Sequence, residues 1–95
     1  KRQVIMYSKT VEIVNKTGLH ARPASEFVQA AKQYRSKIKI QNCGDGYTPV
    51  NAKSIISVLT QCLAQGTTAQ LSAEGPDEQE AVEALVVLIQ TGFGE

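Results

Sequence analysis

The stretch Ala21 to Gln41, ARPASEFVQAAKQYRSKIKIQ, changes its period halfway along. From Ala21 to about Tyr34 the apolar residues Ala24, Phe27, Val28, Ala31 and Tyr34 recur at three- and four-residue spacing, which lines one face of a helix. From Lys37 to Gln41 they alternate strictly, so that Ile38 and Ile40 would face a core and Lys37 and Lys39 would face water. A helix with one apolar stripe followed directly by a strand with one apolar face is satisfied when the helix lies on that face of a sheet.

The same two periods recur on either side. Thr10 to Val14 (TVEIV) is β-branched and reads as a strand, and Thr67 to Ala73 (TTAQLSA) alternates with Ala69, Leu71 and Ala73 on one side. Asn42 to Pro49 (NCGDGYTP) carries turn chemistry, so a short strand around Val50 is expected to make a hairpin with KIKIQ. Ser54 to Gln65 has a helical stripe of Ile55, Ile56, Val58, Leu59, Cys62 and Leu63, which Gly66 stops. Glu78 to Gln90 has another, of Ala81, Ala84, Leu85, Leu88 and Ile89, closed by Gly92, with Asp77 as N-cap and Glu80 completing a capping box. The order is β-α-β-β-α-β-α. It predicts an α+β open-faced sandwich, a four-stranded antiparallel sheet covered on one face by three helices, with the other face solvated. Residues 1–95 read as one domain, in which residues 1–8 either extend the first strand or form a loose end.

With 95 residues the chain can bury one modest core and has no room for a deep cleft. Its net charge of +1 argues against a general nucleic-acid binder, while leaving room for a local basic patch. No apolar run approaches the roughly 20 residues of a membrane span, and KRQVIMYSK is too short and polar for a secretory signal, so a cytoplasmic location is expected. The two cysteines, Cys43 and Cys62, form no CxxC and have no neighbouring histidine pair; no metal site or cofactor is expected.

The single histidine, His20, stands in TGLHARPAS, Thr17 to Ser25, where a loop turns into the first helix. Pro23 suits a first helical turn, where its missing N–H costs nothing, and Gly18 permits an unusual backbone just before. Histidine is not a favoured cap, so stability alone does not explain its place. The first N–H groups of a helix lack intrahelical partners and that end is positive. A phosphoryl group carried on the ring would meet those donors, and Arg22 would lend its oxygens a further positive charge. From composition and position alone, an incidental surface histidine remains the competing reading.

KTGLHARPASEFVQAAKQY, VNAKSI (Val50 to Ile55) and SAEGPDEQEAV (Ser72 to Val82) together resemble the HPr family, the histidine-containing phosphocarriers of the bacterial phosphoenolpyruvate:sugar phosphotransferase system. The resemblance runs from about Thr10 to the C-terminus and implies the same open-faced sandwich. It implies that His20 accepts a phosphoryl group on Nδ1 from phosphorylated Enzyme I and passes it to a histidine of an Enzyme IIA domain. The chain would thus be a carrier rather than an independent catalyst. Arg22 would steady the phosphate, Thr17 and Gly18 shape the loop, and Pro23 start the helix.

Ser54 opens a helical stripe, and an N-cap needs no more than that. In HPr proteins of many Gram-positive bacteria the matching serine is phosphorylated by HPr kinase/phosphorylase, and that form binds a catabolite-control transcription factor. The resemblance therefore implies a regulatory Ser54. It also implies a partner-binding surface of Ile55, Ile56 and Leu59, and with an exposed Leu19 these are read here as an apolar patch near His20, rimmed by Arg22, Lys32 and Lys53. A monomer is expected.

The loop NCGDGYTP is longer than usual in the family, Cys62 takes a position that is often glycine, and the leading KRQVIMYSK is long and lacks an initiator Met. None of these departures is expected to touch His20 or Arg22. LIQTGFGE also resembles the nitrogen-related branch, NPr, whereas NAKSI and AEGPDEQEA favour the sugar branch. Crh, a regulatory relative, replaces the histidine, which His20 argues against. Acylphosphatase shares the plan of elements but needs an arginine in the loop Asn15 to His20, which has none.

Overall fold

The computed structural model describes residues 6–95. Four strands, β1 (Tyr7–Glu12), β2 (Lys37–Asn42), β3 (Val50–Asn51) and β4 (Thr68–Glu74), form an antiparallel sheet in the order β1-β4-β2-β3. Three helices, α1 (Ala21–Ala31), α2 (Ile55–Leu59) and α3 (Glu78–Gln90), and a final 3₁₀ turn (Gly92–Gly94) complete the β-α-β-β-α-β-α order. The alternation in KIKIQ sets the sheet's two faces. Ile38 and Ile40 are buried with Leu71 and Ala73 of β4, while Lys37 and Lys39 are exposed. Phe27, Val28 and Ala31 of α1 and Val82, Leu85 and Ile89 of α3 join them in one core. The open-faced sandwich is therefore as expected.

Several boundaries differ from the sequence reading. β1 begins at Tyr7, so Tyr7 and Ser8 are paired with Ala73 and Ser72 rather than loose; residues 1–5 of the expected extension lie outside the described residues. Helix α1 ends at Ala31, short of Tyr34, which is half-buried beyond it. The buried stripe of α3 is Ala81, Val82, Leu85, Val86 and Ile89, with Ala84 and Leu88 only half-buried. The helix is rolled because it packs on β1, β4 and α1 together.

Helix α2 is five residues long rather than twelve. The chain after Thr60 is fastened elsewhere. Gln61 is buried, accepts from Asn42 N–H (2.9 Å), and donates from Nε2 to Thr48 O (3.2 Å). Leu63 O accepts from Leu19 N–H (2.9 Å). Cys62, between them, has φ +51, a left-handed conformation no helix continues through. Gly66 consequently serves the turn into β4 and not a helix end.

Asp77 precedes α3 but makes no side-chain cap bond, and the expected capping box with Glu80 does not form. Its carboxylate instead accepts from Arg35 N–H (2.9 Å), Ser36 N–H (2.9 Å) and the Ser36 hydroxyl, clamping the start of β2 to the start of α3. Glu78 takes the local role, accepting from Gly75 N–H (3.1 Å).

Candidate functional site

His20 is the N-cap of α1, in extended conformation (φ −146, ψ 154), exposed, and makes no side-chain cap bond. The loop before it is tightly specified. Asn15 O accepts from Gly18 N–H (3.2 Å), Asn15 Nδ2 donates to Gly18 O (3.0 Å), and Gly18 O also accepts from His20 N–H (2.9 Å). Gly18 has φ +72, and a Cβ there would lie 2.4 Å from Leu63 O. Only glycine permits both that backbone and that approach. The histidine is thus presented by a short turn pressed onto the segment that follows α2.

Ala21, the first residue of α1, has φ +55. A non-glycine residue in that region carries roughly 1–2 kcal/mol of strain. Pro23 is buried in the first turn, where its lack of a donor is harmless. No acidic side chain occupies that turn, so the positive helix end beside His20 is not neutralised from within it.

Arg22 lies two residues on, as expected, but it is engaged. One guanidinium nitrogen pairs with Glu26 at i+4, and the other donates to Phe93 O (3.1 Å) in the C-terminal turn. The same turn brings Glu95 over the loop. Its carboxylate accepts from Thr17 N–H (3.0 Å), the Thr17 hydroxyl (2.9 Å) and Asn15 Nδ2 (3.1 Å). These bonds, the backbone one first, hold the Glu95 carboxyl below its ordinary range. Thr17 Oγ1 and N–H therefore point to a carboxylate beside the histidine loop. Asn15 Oδ1 is buried with no hydrogen-bond partner.

Sequence reasoning missed Glu26, Glu95 and Asn15. The i, i+4 spacing of Arg22 and Glu26 was a usable signal. Glu95 lies 78 residues from Thr17, and no local pattern announces that contact.

One hollow borders His20 and a second opens next to it in sequence, at Ala21. One of about 200 Å³ is lined by Thr17, Leu19, His20, Leu59, Cys62 and Leu63 among others. Cys62 thus lines the same hollow as the histidine. The second, of about 330 Å³, lies between α1 and α2 and includes Ala21, Val28, Lys32, Ile55 and Leu59.

Ile56 is 74% exposed, and Ile55 and Leu59 are about half that. Leu19 is not part of this patch. It is 2% exposed, drawn inward when its N–H bonds Leu63 O, and belongs to the core. Of the expected cationic rim, Lys32 is exposed, whereas Lys53 is half-buried with Nζ donating to Tyr34 O (2.6 Å). Ser54 is the N-cap of α2, and its hydroxyl accepts from Ser57 N–H (3.3 Å). Both cysteines are free and exposed. Among the described residues no group of three or more His, Cys, Asp or Glu could hold a metal ion, and no helix is long and apolar enough to cross a membrane.

A family model described as the PTS HPr component phosphorylation site matches residues 7–91. Phosphocarrier protein HPr of Haemophilus influenzae is 49% identical over 86 residues, 90% of this chain and 98% of that protein. HPr-like protein Crh of Halalkalibacterium halodurans is 47% identical over 85 residues, 90% of this chain and 98% of that protein. The crystal structure of HPr-C-His from Thermoanaerobacter tengcongensis superimposes with a TM-score of 0.86 at 50% identity, covering 94% of this chain and 97% of that one. With the fold and nearly the whole length in agreement, the chain belongs to the HPr phosphocarrier family of the phosphotransferase system.

Proposed function

We propose that this chain carries a phosphoryl group on His20, taking it from phosphorylated Enzyme I and giving it to Enzyme IIA domains in sugar uptake. The observation that carries this reading is an exposed histidine at the N-cap position of a helix, whose ring makes no cap bond and has no hydrogen-bond partner among the described residues. The Nδ1 lone pair attacks the phosphorus of the donor, a P–N bond forms at His20, and the bond to the donor breaks. A histidine of the Enzyme IIA domain repeats the step in turn. The transferred oxygens face the positive end of α1 and the guanidinium of Arg22. Thr17, Gly18 and Pro23 keep the loop in place. The chain works as one domain in the cytoplasm and is passed between catalysts without being one.

Partners dock on Ile55, Ile56 and Leu59, an exposed apolar surface beside the histidine. Incubation with Enzyme I and phosphoenolpyruvate is expected to add one acid-labile phosphate, absent in His20→Ala. Failure of the parent chain to take up label overturns the proposal.

Ser54 is a second, regulatory position. It caps the helix that bears the docking residues, so a charge of about −1.5 to −2 there changes what that surface accepts. Treatment with HPr kinase/phosphorylase and ATP is expected to give an acid-stable phosphoserine, to slow transfer from Enzyme I, and to favour binding of a catabolite-control transcription factor. An unmodified Ser54 leaves only its capping role. The likeness to Crh supports one other reading, a regulator that binds without carrying phosphate; label on His20 decides against it.

A further inference from the structure

The cations of this chain are unevenly placed. Arg35, Lys37, Lys39 and Lys53 line one notch of about 370 Å³ at the outer edge of the sheet, together with Ile38 and Asn51. Four of the ten Lys and Arg therefore share one concavity on a chain whose net charge is only +1. No carboxylate lines it. The ion pairs among the described residues are Lys9–Glu83 and Arg22–Glu26, so none of the four is paired. Two acidic groups stand close to these cations in the fold. Glu74 stands in register with Lys37 across β2 and β4 without forming an ion pair, and the Asp77 carboxylate is taken by Arg35 N–H and Ser36.

The notch exists because β3 is short. It pairs Asn51 with Lys39 and Val50 with Ile40; Ala52 N–H then donates to Ile38 O (2.9 Å), and the chain turns toward α2. The first residues of β2 consequently have no strand beside them on that side. Lys37 and Lys39 alternate with buried Ile38, so both lie on the helix-free face, about 7 Å apart along the strand. Lys53 is held at the rim by its bond to Tyr34 O.

We propose that this notch docks an extended acidic segment of a partner protein, with carboxylates at alternate positions. Like charges gathered without ion-pair partners among the described residues repel one another, and a negative occupant relieves that repulsion. Phosphate sites favour guanidinium forks, whereas three of these four cations are ammonium groups on flexible stems. Two of them stand at the spacing with which an extended peptide presents alternate side chains on one side. Nucleic acid and anionic membranes call for a broad basic face, which a net charge of +1 and a single notch do not supply. Arg35 follows the C-terminal end of α1 and His20 caps its other end, a helix length of about 16 Å away. An occupant of the notch leaves His20 open, while Lys53 brings the notch's rim next to Ser54 at the start of α2.

The test is a titration of the isotopically labelled full chain with an acetylated, amidated peptide of alternating Glu and Thr, read by amide chemical shifts. Saturable shifts confined to residues 35–39 and 51–53 are expected, with affinity falling about tenfold from low to physiological salt. The double variant Lys37→Glu/Lys39→Glu, which keeps the parent's circular dichroism, is expected to lose binding at least about tenfold. Lys32→Glu, outside the notch, binds as the parent does. Unchanged affinity in the double variant, or shifts centred on α2, overturns the proposal. So does binding of inorganic phosphate or a single-stranded oligonucleotide in the notch where the peptide fails.

Discussion

Ala21 carries the backbone conformation that most sets the histidine's aim. Its φ of +55 turns the chain sharply between an extended His20 and the helical residues that follow. Ala21→Gly relieves that strain but gives back part of the gain through a looser unfolded chain, so a net stabilisation of about 0.5–1 kcal/mol is expected. Urea denaturation measures it, and phosphate uptake on His20 shows whether the altered turn still presents the ring. Residue types in the loop were legible: His20, Arg22, Gly18 and Pro23 all stand where their chemistry suggested. What the pattern concealed was their partners. Arg22 reads as a free cation until Phe93 and Glu26 are seen beside it, and Leu19 reads as exposed until its N–H is seen bonded to Leu63.

Among the elements, the strands, the short β3 included, and the two long helices were legible, and the length of α2 was not. The periods of α1, β2 and α3 come from a single buried face that runs the length of each element. Helix α2 misled because Cys62 and Leu63 continue its spacing by coincidence; long-range bonds from Gln61 and Leu63 decide where it stops. Asp77 misled in the same way, as a cap-like residue before a helix whose side chain serves the neighbouring strand.

That clamp has a pH signature. Donation from the Ser36 hydroxyl, and then from Arg35 N–H, holds Asp77 at about 2, against an ordinary 3.8. The native chain then binds fewer protons than the unfolded one between these values. The stabilisation is complete above about pH 4 and disappears as pH falls through about 2. Asp77→Asn is expected to be less stable than the parent at neutral pH and to show a flatter profile in that acid window, read from urea midpoints across a pH series.

Taken whole, the molecule separates what holds it together from what it shows to others. Leu71 is fully buried at the centre of the sheet, and Leu71→Ala is expected to cost about 2–5 kcal/mol. Ile56 is large, apolar and mostly bare, and Ile56→Ala is expected to change stability by less than about 0.5 kcal/mol. On the proposed reading, that second variant slows phosphate transfer from Enzyme I at low carrier concentration and recovers at high concentration. Transfer that matches the parent at every concentration would remove Ile56 from the docking surface. The edge is secured separately: Glu83 of α3 accepts from the Tyr7 hydroxyl and pairs with Lys9 (2.9 Å), pinning β1 under the helix.

The guanidinium of Arg22 has a resting place. With Glu26 and the Phe93 carbonyl as its seat, the empty carrier does not leave a bare cation beside the ring. On the proposed reading, a phosphoryl group arriving on His20 offers that guanidinium one set of oxygens in place of another, and its departure restores the first. Giving up Glu26 and a backbone carbonyl offsets part of what the phosphoryl oxygens would gain from the guanidinium. On that reading the parcel is held less firmly than an unoccupied guanidinium would hold it, which suits a courier that must also let go.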